Sequence, residues 1–383
     1  MPDLRQGSCC APQNMRGYMT WLVTGGAGYI GGRVVEHLHR AGYEVVVFDD
    51  LSTGLRERIP PGVSFAYGAL TDYRAVQALF RQYPIRGVVH LAARKSVGES
   101  VLRPQWYWRE NVDGLSILLN VMNQSGVRHL LFASSAAVYG DPASSPVNEL
   151  MKTMPINPYG KTKLVGESLI RAAGDRHGLS WLVLRHFNVA GSVGPRFADR
   201  SRTSLLTNIF RAATGGPVLA VLGTQYPTPD GTAIRDYVHV DDVASAYAKA
   251  VDLFSKQPSR WPGGEILNVG RGTGTSVREV IAEVERVIGR VVPRREMPNR
   301  PGDPAAVVAD PQNAMDRLVW KPESELAEMV ESAWQAWCAL SSGRPRQVSG
   351  SLRRTKIAMS SRGPSAEKPM VAARSLAATM SAE

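Results

Sequence analysis

Between residues 20 and 188 the chain alternates short β-branched runs with amphipathic stretches, and no other feature constrains the fold as strongly. TWLVTG (20–25), YEVVVFDD (43–50), VSFAYG (63–68), GVVHLAA (87–93), RHLLFASS (128–135) and WLVLRHFN (181–188) predict strands. Residues 29–42, 72–83, 110–126 and 157–174 carry helical spacing between them. Strands joined through helices run parallel, and the helices cover both faces of the sheet. The expected fold class is therefore α/β, a doubly wound, Rossmann-like parallel sheet. After Gly191 the alternation breaks into loops, a helix near 203–214 and the Gly/Pro-rich GTQYPTPDGTAIRDY (223–237). HVDDVASAYAKAVDLF and EILNVG then read as a helix and strand returning to the main sheet. The expected organisation is a main domain at 19–190, rejoined by 236–270, and a smaller C-terminal α/β cap at 191–340.

The 383 residues are 44% apolar and 21% charged, the balance of an ordinary globular protein. No apolar run nears the roughly 18 residues needed to cross a bilayer, and the N-terminal stretch lacks a secretory h-region. Residues 1–18 read as a flexible leader without a clear element, and Met19, where the strand pattern begins, is the expected functional start. Cys9, Cys10 and Cys338 give neither a disulfide framework nor zinc spacing, which points to a reducing, cytoplasmic setting with no metal. The net charge of +11 invites a nucleic-acid reading, but residues 341–383 carry +6 of it. That Ser/Arg/Ala-rich tail has no amphipathic period and is expected to be disordered. Neither a nucleic acid nor a membrane is an expected partner.

TGGAGYIGG closes the first strand and opens the first helix, with Gly25, Gly28 and Gly31 three apart. Glycine permits the tight turn and lets the backbone approach a pyrophosphate, while the helix N-terminus offers unpaired N–H groups to anions. The second strand ends in Asp49-Asp50, carboxylates suited to a ribose 2′-hydroxyl and hostile to a 2′-phosphate. The pattern predicts NAD rather than NADP.

In NPYGKTK, Tyr159 and Lys163 share one face of a helix beginning at Pro158. A free phenol titrates near ~10, and an ammonium ~4 Å away at an effective dielectric of ~20 favours phenolate by about 4 kcal/mol. Lys163 is thus expected to lower the Tyr159 phenol by roughly 3 pKa units, and a positively charged nicotinamide would push it the same way. With NAD⁺ beside it the phenol is an acid/base for an alcohol. Ser135, at the carboxyl end of the fifth strand where ligands gather, would bond the same hydroxyl. Taken singly, the pair describes many surface helices and the serine many turns; the three together are more specific.

The stretches VTGGAGYIG, HLAARKSVGES, SSAAVYGDP, NPYGKTK, RHFNVAG, YPTPDGTAIRDYVHVDD and RPGDPA, spanning about 22–306, carry a resemblance. The chain is similar to the extended short-chain dehydrogenase/reductases and, within them, to the UDP-sugar 4-epimerases. The resemblance implies retained NAD and interconversion of UDP-glucose and UDP-galactose through a 4-keto sugar, with epimerisation of a UDP-N-acetylhexosamine, UDP-pentose or UDP-uronate as the alternative. Tyr159 would remove the O4 proton, assisted by Ser135, with Lys163 tuning the phenol. It assigns to the cofactor Gly25, Gly28, Tyr29, Ile30, Gly31, Asp49, Asp50, Leu91, Ala92, Lys95, Asn111 and Phe187, together with Tyr159 and Lys163. It assigns to the UDP-sugar Ser135, Asn188, Arg235, Arg300, Asp303 and Val307. Relatives are often homodimers.

Departures also stand out. Ala69 replaces a carboxylate expected at the adenine amino group, Ser204 an Asn or His, and His186 a Tyr. Val307 stands where relatives carry a bulky Tyr, and would open the pocket to an N-acetylated sugar. A nucleotide-sugar dehydratase needs acid/base groups where Ala136 and Ala137 stand, which disfavours dehydration and, less strongly, decarboxylation. A non-catalytic NAD sensor has no need of Ser135, Tyr159 and Lys163.

Overall fold

The computed structural model describes residues 20–256, 263–299 and 303–342; the leader at 1–18, Arg300 and the tail beyond 342 lie outside the described residues. Six strands are laid down first: β1 (Thr20–Thr24), β2 (Glu44–Asp49), β3 (Ser64–Tyr67), β4 (Ile85–His90), β5 (His129–Ser135) and β6 (Ser180–His186). Between them come α1 (Tyr29–Arg40), α2 (Tyr73–Gln82), α3 (Val97–Leu102), α4 (Pro104–Trp108), α5 (Gly114–Gln124) and α6 (Pro158–His177). The chain then leaves the sheet through β7 (Asn188–Ala190), α7 (Leu205–Ala213), β8 (Leu219–Leu222) and β9 (Ile234–His239). It returns with α8 (Val240–Lys256) and β10 (Gly264–Val269), which pairs with β6. The remaining elements are β11 (Gly274–Ser276), α9 (Val277–Ile288), β12 (Arg294–Met297), β13 (Ala306–Val307), α10 (Gln312–Leu318) and α11 (Leu326–Ser342).

The main sheet has seven strands in the order β10-β6-β5-β4-β1-β2-β3, and every neighbouring pair is parallel. Successive residues of β1 serve opposite faces. Trp21 and Val23 pack with Val35 and Leu38 of α1 and Val243 and Tyr247 of α8. Leu22 packs with Leu118 and Met122 of α5 and Ile170 of α6. Burial on both sides explains why β1 reads as an unbroken apolar run. Segment 234–239 belongs to the smaller sheet, where β9 pairs with β7, β11 and β13, so the return to the main sheet begins at α8. A further apolar cluster joins α7, α9 and α11 through Phe210, Ile281 and Met329. Helices α3 and α4 had no counterpart in the sequence pattern, because each is barely a turn or two long.

Strand order reverses between β1 and β4, which opens a crevice at their carboxyl ends. The glycine turn fills the approach to it. Gly25 sits at φ +71°, and a Cβ there would lie 2.6 Å from the Ala92 nitrogen. A Cβ on Gly31 would lie 2.1 Å from the Gly25 carbonyl oxygen. Both obstacles are backbone and cannot swing aside. Gly31→Ala should therefore lower stability by roughly 1–3 kcal/mol, the usual cost of overpacking, in chemical or thermal unfolding. Gly98→Ala, where a Cβ meets nothing within 4 Å, should leave the unfolding midpoint almost unchanged.

Candidate active site

A cleft of about 800 Å³ runs over the carboxyl ends of the main strands, from Asp50 and Ala69 to Tyr159, Lys163 and His186. Gly25, Gly28, Tyr29, Ile30 and Gly31 line it, as do Asp49, Asp50, Leu91, Ala92 and Lys95. Gly28 caps α1 without a side-chain bond, and the first turn holds no acidic residue, so its N–H groups face the cleft unneutralised. Asp49 departs from its expected role. It is buried, and its two carboxylate oxygens accept from the Ala27 nitrogen at 3.0 Å and the Leu51 nitrogen at 2.8 Å. It holds the glycine turn from within the cleft wall, while Asp50 beside it accepts from the Ser52 nitrogen at 2.9 Å and lies 3.5 Å from Arg94. Tyr29 likewise spends its hydroxyl on the Gly191 carbonyl at 2.6 Å, tying the turn to the chain leaving the main sheet.

Tyr159 is delivered by local sequence. Asn157 caps α6, accepting from the Gly160 nitrogen at 2.9 Å, and Pro158 occupies the first turn. A Cβ on Gly160 would lie 2.5 Å from the Ala137 carbonyl oxygen, so glycine alone lets α6 press onto the segment after β5. That contact brings Tyr159 within hydrogen-bond reach of Ser135. Ser135 itself accepts from the Ala137 nitrogen at 3.2 Å; Ser134, not Ser135, forms the cleft wall. One turn on, Lys163 is buried and donates to the Ala133 carbonyl at 2.8 Å.

The expected electrostatics are corrected here. Burial raises the Tyr159 phenol above its ordinary value, and the bond with Ser135 offsets this only in part. Burial also pushes Lys163 down to about 7, against a smaller opposing effect from Glu167. Removing both groups from water outweighs any help the amine gives the phenol. In the protein alone the Tyr159 phenol is neutral. His186 is held at about 3 by burial and Lys163, so it is neutral, and it shares a 2.9 Å bond with Tyr247.

A second cavity, of about 730 Å³, is lined by Asn188, Arg235 and Asp303 together with Phe210, Leu219 and Trp337. The two share the walls formed by Tyr29, Lys95, Ser96, Asp199, Arg202 and Thr203. Besides Ser135, three further expected contacts line neither cavity. Asn111 is buried; its amide receives the Arg94 nitrogen at 2.8 Å and donates to the Arg94 carbonyl at 2.9 Å and Thr162 at 3.0 Å. It pins the loop after β4 to α6 and lines neither cavity. Phe187 and Val307 are core residues packed with Val138, Tyr139, Val147 and Ala309, and neither lines a cavity. The pocket-widening expected of Val307 thus loses its geometric basis. Sequence reasoning missed Arg94, Trp106 and the 199–203 loop, wall residues without periodicity to reveal them, and Glu110, which opens a helical stretch whose period does not mark it as a cleft residue.

Among the described residues no cluster of His, Cys, Asp and Glu could hold a metal ion, and no helix is long and apolar enough to cross a membrane. What the cleft does fit is a dinucleotide: a backbone cradle, open helix N–H groups and a carboxylate near the far end. The family comparison agrees. The profile of the NAD dependent epimerase/dehydratase family matches residues 21–270, and the chain belongs to that family. Within it, the chain is 42% identical to a UDP-glucose 4-epimerase of Streptomyces lividans, over 82% of this chain and 95% of that protein. The UDP-glucose 4-epimerase of Brucella ovis, solved in complex with NAD, superposes with a TM-score of 0.78 at 37% identity, covering 82% of this chain and 97% of that one. A Stenotrophomonas maltophila UDP-glucose-4-epimerase, solved with bound NAD and formylated UDP-arabinopyranose, gives 0.79 at 36% identity, covering 85% and 100%.

The lysine makes a pH prediction. Folded Lys163 titrates at about 7 against an ordinary value of 10.5. Between those values the unfolded chain binds a proton that the folded chain does not, so this group makes stability rise with pH above 7. That contribution is lost as pH falls through 7. The thermal midpoint of cofactor-stripped Lys163→Met, compared with wild type at pH 7 and pH 9, should lack this rise.

Proposed function

We propose that this chain is an NAD-dependent 4-epimerase of UDP-sugars, interconverting UDP-glucose and UDP-galactose through a 4-keto intermediate. The observation that carries the reading is the meeting of Ser135, Tyr159 and Lys163 at the carboxyl end of β5, beside a cleft that begins at the glycine turn. Bound NAD⁺ would supply a hydride acceptor at C4 of the sugar and, being oxidised, a positive charge. Tyr159 holds and moves the O4 proton, and Ser135 hydrogen-bonds the phenol during that transfer. Lys163, fixed on the Ala133 carbonyl, positions the helix turn that carries Tyr159. Asn188, Arg235 and Asp303 line the neighbouring cavity and are read as holding the UDP moiety, together with Arg300. Arginine suits diphosphate because its planar fork pairs with the oxygens. Ala136 and Ala137 carry no proton, which supports epimerisation over dehydration.

Residues 19–190 with the returning α8 and β10 are read as the cofactor domain, and 191–340 as the substrate cap. A homodimer in the cytoplasm completes the reading, and sedimentation of the purified protein tests the dimer. The activity test is a coupled assay of UDP-galactose conversion to UDP-glucose. Tyr159→Phe should lower kcat by about 10²–10⁴-fold, while nucleotide released on denaturation matches wild type. Wild-type protein that carries NAD yet converts no UDP-hexose would overturn the epimerase reading.

A further inference from the structure

The cofactor end of the cleft lacks the carboxylate expected after β3, because Ala69 stands there. The next acid along, Asp72, cannot substitute: it caps α2, accepting from the nitrogens of Arg74 at 2.9 Å and Ala75 at 3.1 Å. A different carboxylate lines the same cleft. It belongs to Glu110, which is only 16% exposed. It sits on a single π-helical turn, Arg109–Asp113, a widened turn of the kind that re-aims side chains at functional sites. The end of that turn is pressed on the β3 loop: a Cβ on Gly114 would lie 3.2 Å from the Leu70 Cβ.

The charge is held in place. Arg109 donates to the Glu110 Oε1 at 3.0 and 3.2 Å. Arg94 lies 3.8 Å from the Glu110 Oε2 and 3.5 Å from Asp50, and its guanidinium covers the Trp106 ring at 4.5 Å. Oε2 is therefore the oxygen left to accept from a ligand. Asn111 fixes Arg94 through both its backbone groups. Asp50, Arg94 and Glu110 thus form one row at this end of the cleft.

We propose that Glu110 is the adenine-specificity residue of this chain, its carboxylate accepting from the 6-amino group in place of the acid missing at Ala69. The inference rests on the NAD reading above. A carboxylate facing that position favours an amino donor and repels a 6-oxo acceptor, a difference of about ten- to a hundredfold for a charged hydrogen bond.

The test strips full-length protein of its bound nucleotide, reconstitutes it with an equimolar mixture of NAD and nicotinamide hypoxanthine dinucleotide, removes the unbound excess, then denatures it and counts the released dinucleotides by mass. Wild type should release NAD in about ten- to hundredfold excess. In Glu110→Gln, whose amide can donate to the 6-oxo group, the excess should fall to a few fold or less. Ala69→Asp added to Glu110→Gln should restore it. An unchanged ratio in Glu110→Gln overturns the proposal, and so does a double variant that does not regain the preference. Wild type that releases neither dinucleotide would instead overturn the NAD reading itself.

Discussion

Backbone meets backbone at the point where the sheet changes direction, and the molecule is organised around that contact. Gly25 approaches the chain after β4 and Gly31 approaches Gly25, at separations that admit no side chain. The turn is braced from behind by Asp49 and from the side by Tyr29. Because these supports come from β2 and from residue 191, the cradle is completed only when the sheet is assembled and the chain has crossed out of it. The first helix then enters the crevice with its N–H groups open.

A comparable device places the reactive phenol. Gly160 lets α6 lean on the segment after β5, and Gly166 lets it lie over Phe132, where a Cβ would meet the ring at 2.8 Å. Behind this seam, Arg185 of β6 grips Glu167 of α6 through two bonds of 2.7 and 3.0 Å, and Ser134 donates to the same carboxylate. The ion pair is almost fully buried, so its members are expensive to separate, and it fixes the pitch of the helix that bears Tyr159 and Lys163. Neutral His90 and His186 flank the amine, each kept uncharged by burial and by Lys163 itself. With both imidazoles neutral, the surroundings of the amine are low in dielectric, which makes a charge delivered there by a ligand strongly felt.

Much of this was legible in the residue pattern. The six strands from TWLVTG to WLVLRHFN, the glycine turn and the Pro158 helix start all fall where period and capping rules put them. The residues proposed to act on the sugar lie on regular elements where the pattern put them: Tyr159 and Lys163 one helical turn apart, Ser135 at its strand end. Assignments to contact were weaker. Asn111, Phe187 and Val307 hold walls together from behind, because motif position fixes a residue's neighbourhood but not the direction of its side chain.

What the sequence settled by itself was periodic or local: element type, sheet class, the turn geometry that only glycine allows, and the face shared by a tyrosine and a lysine one turn apart. What tertiary structure decided was desolvation and long-range adjacency. Burial raises the phenol and lowers the amine, reversing an estimate made from the pair alone. Tertiary packing also puts Glu110 and Ala69, far apart along the chain, on the wall of one cleft. Solvent exclusion depends on every element packed around a group, and no window of sequence contains that sum.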